Sequence, residues 1–271
     1  SKYFNVQLGH GKNFIGDGYR SLLLSDFSSF YPYLKLTTKI WKLEYTNLFT
    51  EFQNLNRRAG FPLLGRGYDK KLGSFHYLSM AIGKRLQVGI FEGITWQRVS
   101  DQGYYRGIDI NYFNPVIFFR PVEFSLGSPD NVILGLNARY DFPKLGYIYG
   151  QFVMDDINFG KISEFGNLGY IHNKLGGQLG LKLLDVAGVE GLNWRNELNI
   201  VRPYTYSHRV PAQNYSHASQ PLAHPLGANF REFISRISYQ KGRIQAFGML
   251  MLASYGEDTE DFYYGRGLFR S

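Results

Sequence analysis

The sequence predicts an all-β protein, and within that class a transmembrane antiparallel β-barrel of the outer-membrane type. Three observations lead to this prediction: period-two alternation of apolar and polar residues, aromatic residues near the ends of the alternating runs, and connections that alternate between short and long. Barrel strands of about 10 residues place apolar side chains toward lipid and polar ones toward the lumen. The composition agrees, because the 271 residues include 31 Gly, 21 Tyr and 22 Phe.

Composition and charge exclude several other classes of protein. The chain contains no cysteine, which excludes a disulfide scaffold, a cysteine-ligated metal centre and a cysteine nucleophile. The many aromatic residues argue against disorder. The formal net charge of +8 suits an anionic membrane surface or an acidic polymer. Its cations are scattered and match no nucleic-acid-binding module, so we expect no nucleic-acid partner.

Alternation marks the predicted strands of the first half of the chain. The successive runs are Phe4–Leu8, Leu34–Leu36, Leu43–Phe52, Leu78–Ile82 and Leu86–Ile90. Only Gly83–Arg85 separates the last two runs, which predicts a tight hairpin turn.

The second half repeats the pattern and completes a count of about 11 strands, with no amphipathic helix. Its runs are Val132–Ala138, Tyr147–Val153, Leu175–Leu183, Leu192–Ile200, Phe233–Tyr239 and Ile244–Leu252. Arg195 and Glu197 share the polar face of one run, so we expect both charges to face the lumen.

Connections and aromatic residues distinguish a membrane barrel from a soluble sandwich. Short connections occur at Gly83–Arg85, Asp141–Gly146 and Lys241–Gly242, and long ones at about 54–73, 97–130, 155–174 and 202–231. Aromatic groups at Phe30–Tyr33, Tyr104–Tyr105 and Tyr204–Tyr206 are predicted to form interfacial girdles. We expect residues 1–271 to form one barrel domain. Because 11 is an odd strand number and the pattern starts within a strand, we expect that domain to be incomplete at both ends.

No motif for catalysis, metal binding or phosphate binding stands out. Gly9–Gly11 and Gly16–Gly18 lack the lysine and helix of a phosphate-binding loop, so we expect tight turns there. In Ser207–His208 and Ser216–His217, adjacent side chains of an extended chain point to opposite faces, which disfavours a catalytic pair. The spacing of His208, His217 and His224 matches no zinc motif and favours a packed loop. We therefore expect a non-enzymatic protein without cofactor or metal.

Two segments are the candidate ligand sites. Aromatic rings stack on the apolar face of a sugar, and charged groups bind its hydroxyls or carboxylates. The alternative interpretation is an interfacial girdle with a surface loop. The candidates are Trp96, Arg98, Tyr104, Tyr105, Arg106 and Asp109 in the first segment and Tyr206, His208, His217 and His224 in the second.

Several loop sequences resemble a known family. They are Gly11–Asp26, Asn214–His217 and Gln220–Asn229, with Asn114–Glu123 and Gly127–Asn131 between them. The chain resembles the Wzi-type capsule-assembly family of outer-membrane barrels, and is most similar to the Bacteroidetes versions, some of which are called RemB-like gliding-motility proteins. The resemblance implies a large barrel in the bacterial outer membrane that holds surface polysaccharide without catalysis. In the gliding branch it implies a role in motility.

The expected function is therefore binding or anchoring of surface polysaccharide. The expected partners are outer-membrane lipid or lipopolysaccharide, an acidic surface polysaccharide, and other outer-membrane proteins. Two alternatives remain at this point: an accessory subunit of a multi-protein outer-membrane complex, and a porin-like channel.

Overall fold

The computed structural model describes residues 3–55, 68–99, 112, 130–155, 174–259 and 261–269. Eleven strands form one antiparallel sheet, ordered as in the chain, and β10 pairs with β11 in a separate two-stranded ladder. Among the described residues no ladder joins β1 to β13, so the sheet is open between these two strands. The strands are β1 (Phe4–Gly11), β2 (Tyr31–Ile40), β3 (Leu43–Asn54), β4 (Asp69–Ile82), β5 (Leu86–Gln97), β6 (Asn131–Phe142), β7 (Gly146–Asp155), β8 (Lys174–Leu183), β9 (Leu192–Val201), β10 (Ser216–His217), β11 (Gln220–Pro221), β12 (Phe230–Lys241) and β13 (Ile244–Tyr255).

From β6 to β12 the two faces of the sheet have opposite chemistry, because successive side chains of a strand point to opposite sides. In β4 and β5 the outward face also carries buried polar side chains, His76 and Glu92. Exposed apolar side chains lie on the outward face, among them Leu136, Ile148, Leu179, Leu198 and Phe233. Buried polar side chains lie on the inward face, among them Asn137, Gln151, Gln178, Asn199 and Glu232. Arg195 and Glu197 are on this inward face, as the alternation predicted.

The predicted rhythm of connections is present. Two or three residues join β2 to β3, β4 to β5, β6 to β7 and β12 to β13, and these turns share one end of the sheet. The long connections share the other end, which we call the long-connection end. The described part of the chain contains no helix that is long and apolar enough to span a bilayer.

Two long connections fold back against the inward face. The first inner segment is residues 12–30, between β1 and β2, and the second inner segment is residues 202–229, between β9 and β12. Leu22, Leu23 and Leu24 of the first are fully buried against Tyr206 and Tyr215 of the second and against inward side chains of the strands. Full burial of one leucine is worth about 1.5–3 kcal/mol, so this apolar contact holds both segments inside the sheet.

Glycines make room on the inward face as well as in turns. A Cβ at Gly135 would lie 2.3 Å from Leu23 Cδ2, and one at Gly180 would lie 2.1 Å from the Tyr149 ring. The turn prediction for Gly9–Gly11 is wrong, because both glycines lie in β1, where Gly9 contacts the Tyr33 ring. Gly16, in contrast, has a φ of 136° and does occupy a turn conformation.

Exposed aromatic residues lie at both ends of the sheet. Trp41, Tyr140, Phe142 and Trp194 lie on the outward face at the short-turn end, and Phe30, Tyr68 and Tyr255 lie at the long-connection end. The predicted girdle members Tyr31 and Tyr206 are instead fully buried inside the sheet, which corrects that part of the girdle prediction. Their rings fill space among the inner segments. The Tyr31 hydroxyl accepts the Asn13 backbone N–H at 3.2 Å, and the Tyr206 hydroxyl donates to the Leu22 carbonyl at 2.7 Å. Tyr104 and Tyr105 lie outside the described residues.

Candidate functional site in the lumen

The first inner segment is bound to the wall through a buried glutamate. Glu197 of β9 accepts hydrogen bonds from the backbone N–H of Tyr19 at 2.6 Å and of Arg20 at 3.0 Å. It also accepts the Tyr149 hydroxyl proton at 2.6 Å and the Asn199 amide at 3.0 Å. Hydrogen bonds to an ionised acceptor are about twice as strong as neutral ones, so this carboxylate is a main anchor of the segment.

Two inward glutamines extend the same anchoring. Gln151 of β7 accepts the Leu22 backbone N–H at 2.8 Å and donates to the Ile15 carbonyl at 3.1 Å. Gln178 of β8 donates to the Arg20 carbonyl at 3.0 Å. Inward polar side chains of the strands therefore satisfy the backbone hydrogen-bonding groups of the first inner segment, which would otherwise need water as a partner.

The second inner segment is tied both to the first segment and to the strands. The hydroxyls of Tyr206 and Tyr215 donate to the carbonyls of Leu22 and Leu23, each at 2.7 Å. Burial raises the pKa of both tyrosines well above the usual value, so the hydroxyls stay protonated donors. Lys71 of β4 donates through Nζ to the Asn214 carbonyl at 2.6 Å.

His217 is a buried neutral imidazole that joins three parts of the chain. Its Nδ1 accepts the Gln53 backbone N–H at 3.0 Å, which leaves the proton on Nε2 to bond the Phe30 carbonyl at 3.1 Å. Burial is the main reason that the pKa of His217 is lowered. Its neighbour Ala218 bonds the Gln53 carbonyl through its backbone N–H, at 2.9 Å.

His224 has an equivalent arrangement. Its Nδ1 accepts the Leu226 backbone N–H at 3.1 Å, and its Nε2 bonds a Glu232 carboxylate oxygen at 2.7 Å. The ring stacks on Phe230 at a centroid distance of 4.2 Å. Burial lowers the pKa of His224, although Glu232 opposes the shift. His208 also accepts a backbone N–H two residues on, from Val210 at 3.1 Å, but it is only half-buried.

The predicted ligand residues that the structure describes are not brought together in one site. Tyr206, His217 and His224 are buried among the inner segments, as described above. Trp96 is 1% exposed and packs on the Tyr112 ring, at 4.9 Å, on the outward face of β5. Arg98 forms an ion pair with Glu51 at 2.9 Å. Tyr104, Tyr105, Arg106 and Asp109 lie outside the described residues.

A small hollow at the long-connection end, with room for about one water molecule, was missed by sequence reasoning. Its lining residues are Asn54, Asp69, Lys70, Lys71, Gln97, Val99 and Ala212. Lys70 is also bound to Glu51, at 2.6 Å, so Glu51 joins the two cations Lys70 and Arg98 beside the hollow. Lys70 and Lys71 are adjacent in the sequence, but alternation alone does not indicate that the strand ends of β3, β4 and β5 meet there.

Both buried histidines of the second inner segment are fully hydrogen-bonded. Both ring nitrogens of His217 and of His224 are bonded to backbone groups or to Glu232. In the described ranges no group of three His, Asp or Glu side chains is placed to hold a metal ion. Asp155 is buried and accepts the Tyr206 backbone N–H at 2.6 Å. The buried polar side chains described here hold the inner segments in place.

The sheet and its inner segments define an antiparallel β-barrel fold of the outer-membrane type, as predicted. One solved structure carries the comparison: Wzi, an outer-membrane protein involved in group 1 capsule assembly in Escherichia coli, which is a carbohydrate-binding β-barrel. The TM-score is 0.64 at 15% sequence identity, over 94% of this chain and 54% of Wzi. The chain thus spans about half the length of that barrel, in agreement with the open sheet.

The similarity to Wzi is one of fold. No family model matches the chain, and no curated protein matches it in sequence. The relation to the RemB-like gliding branch stays a prediction.

Proposed function

We propose that this protein acts in the bacterial outer membrane as a non-enzymatic β-barrel that binds surface polysaccharide at its long-connection end. The filled lumen carries the proposal. Inward polar groups such as Glu197, Gln151 and Lys71 are bonded to the inner segments, so they support a platform and leave little of the wall free for transport. Similarity in fold to a carbohydrate-binding barrel supports the same function.

The outward face supports the membrane location. Its exposed apolar side chains would be costly in water over so large an area, and contiguous apolar surface marks contact with a membrane or a partner. The outward aromatic residues Trp41 and Trp194 lie at the short-turn end, where an interfacial girdle is expected. One barrel domain over residues 1–271, continued by further sequence on both sides, is part of this proposal.

The partly exposed surface around the hollow is the proposed polysaccharide contact. Amide and carboxylate groups suit sugar hydroxyls, and Lys70 and Arg98 suit the carboxylates of an acidic polysaccharide. Of the candidates named from sequence, Arg98 and His208 are partly exposed, and we include them with Tyr104, Tyr105, Arg106 and Asp109 as proposed contacts. We also propose that the protein has a role in gliding motility and that it contacts lipopolysaccharide or other outer-membrane proteins.

Binding of a uronate polymer tests the proposal. Alginate is titrated against the detergent-purified protein at physiological salt, with neutral dextran for comparison. The double variant Lys70→Gln/Arg98→Gln is expected to bind alginate about tenfold more weakly, which corresponds to about 1.4 kcal/mol. The matched control is Lys84→Gln/Arg85→Gln in an exposed turn at the other end. Binding of neither polymer by the wild type, or equal losses in the two double variants, would contradict the proposed contact.

A further inference from the structure

Three cationic side chains form a row across the inward face near the short-turn end. Lys182 of β8 lies directly opposite Arg195 of β9, and Arg195 lies directly opposite Arg236 of β12. Neighbouring strands are about 4.8 Å apart, so the row spans roughly 10 Å. Like charges placed directly opposite each other destabilise a sheet, so the fold itself gains nothing from this arrangement.

The carboxylates nearest to this row are committed to other groups. Asp17 and Asp141 pair with Arg139, at 3.3 and 2.7 Å. Glu197 and Glu232 are bonded to the first inner segment and to His224, as described above. Within the described part of the chain, no carboxylate forms an ion pair with any of the three cations of the row.

Aromatic rings hold the row in place without neutralising it. The Arg195 guanidinium donates to the Tyr147 hydroxyl at 3.1 Å and lies 5.6 Å from the Tyr149 ring centre. The Lys182 ammonium lies 5.7 Å from the Tyr147 ring centre, and the Arg236 guanidinium lies 5.6 Å from that of Tyr19. All three cations are half-buried, so they are partly desolvated.

From this geometry we infer that Lys182, Arg195 and Arg236 bind a phosphate group inside the short-turn end of the lumen. Two guanidinium groups present planar pairs of N–H donors that match phosphate oxygens, and the ammonium adds a third positive charge. A phosphate dianion would relieve the repulsion along the row, which a neutral ligand would not do. The site lies at the opposite end of the barrel from the proposed polysaccharide contact and does not depend on that function.

The phosphate group could belong to a free phosphate or to a lipid headgroup, and two arms of the experiment distinguish these sources. The first arm titrates inorganic phosphate and pyrophosphate against the detergent-purified protein, followed by calorimetry and by the rise in thermal unfolding temperature. The second arm uses vesicles of phosphatidylcholine with and without a phosphorylated glycolipid. We expect the double variant Arg195→Gln/Arg236→Gln to lose at least tenfold in affinity for the phosphate source that binds, whereas Arg195→Lys keeps most of it.

Exposed Arg243 supplies the matched control at the same end of the barrel. Arg243→Gln is expected to bind like the wild type. Row-dependent binding of either source supports the inference and identifies the ligand. Failure of both sources to bind, or an equal loss in Arg243→Gln, would overturn it. Alginate binding by the same variants is expected to be unchanged, so this test can fail while the proposed function stands.

Discussion

Cationic side chains on the inward face have different environments at the two ends of the lumen. At the long-connection end, Lys71 donates to the Asn214 carbonyl, the Asn214 side-chain oxygen and the Ser216 hydroxyl, at 2.6 to 3.1 Å. Lys174 donates to the Ser207 carbonyl at 2.9 Å. At the short-turn end, Lys182, Arg195 and Arg236 face one another and aromatic rings.

The difference follows from where the inner segments lie. The second inner segment brings backbone carbonyls to the long-connection end. The buried Lys71 ammonium donates hydrogen bonds to Asn214 and Ser216 of this segment and holds it on β4, and we call this contact the clamp. The first inner segment reaches toward the short-turn end with Tyr19 and Arg20, whose backbone is bound by Glu197 and Gln178. The same residue types therefore stabilise the fold at one end and remain available for a ligand at the other.

The largest expected effect is at the clamp. Lys71→Met leaves a buried carbonyl, a side-chain oxygen and a hydroxyl without their donor, so the free energy of unfolding should fall by about 3 kcal/mol. Urea unfolding followed by tryptophan fluorescence measures the change. Lys70→Met is the control, because Lys70 is half-exposed and its ion pair with Glu51 is worth less than about 1 kcal/mol. Equal losses in the two variants would contradict the clamp.

A somewhat smaller loss is expected at the anchor of the first inner segment. Glu197→Gln keeps the size of the side chain but replaces a charged acceptor of several hydrogen bonds, so the free energy of unfolding should fall by about 2 kcal/mol. Protease cleavage within residues 12–30 should become faster at the same time. Glu190→Gln, whose carboxylate is 81% exposed, serves as the control and should leave both measurements unchanged.

Acid should loosen the second inner segment through its two buried histidines. The pKa values of His217 and His224 are lowered by burial, so the folded chain binds fewer protons than the unfolded chain. Stability should therefore fall as the pH drops below about 6.5, the pKa of histidine in an unfolded chain, and continue to fall to the lowered folded values.

Thermal unfolding between pH 7.5 and 5 measures this dependence. The double variant His217→Gln/His224→Gln should show a shallower slope than the wild type, whereas His10→Gln at an exposed position should keep the wild-type slope. Identical slopes in all three proteins would contradict the role of the buried imidazoles.

The smallest effect on stability is expected in the cationic row. Arg195→Gln removes the charge repulsion with Lys182 and Arg236 and also removes one hydrogen bond to Tyr147. Because these two effects oppose each other, the free energy of unfolding should change by no more than about 0.5 kcal/mol. Urea unfolding in the absence of phosphate checks this value. A loss as large as that of Lys71→Met would show that the row is structural, and the contrast between the two ends would disappear.

Alternation predicted the strands well because most strands carry apolar side chains on the outward face with a period of two. The run Leu192–Ile200, for example, corresponds to β9 with one further residue. The inner segments were not predictable in this way, since they have no period. The position of Leu22 depends on Gln151, 129 residues away, and on Tyr206. The space under Tyr149 depends on a glycine, Gly180, in the next strand.

Electrical conductance in planar lipid bilayers tests the filled lumen most directly. Residues 12–30 and 202–229 pack against the inward face and against each other, so the inserted protein is expected to show no steady single-channel current. An open porin in the same bilayers provides the positive control. Large, steady currents from the wild-type protein would contradict a filled lumen and would favour the channel alternative.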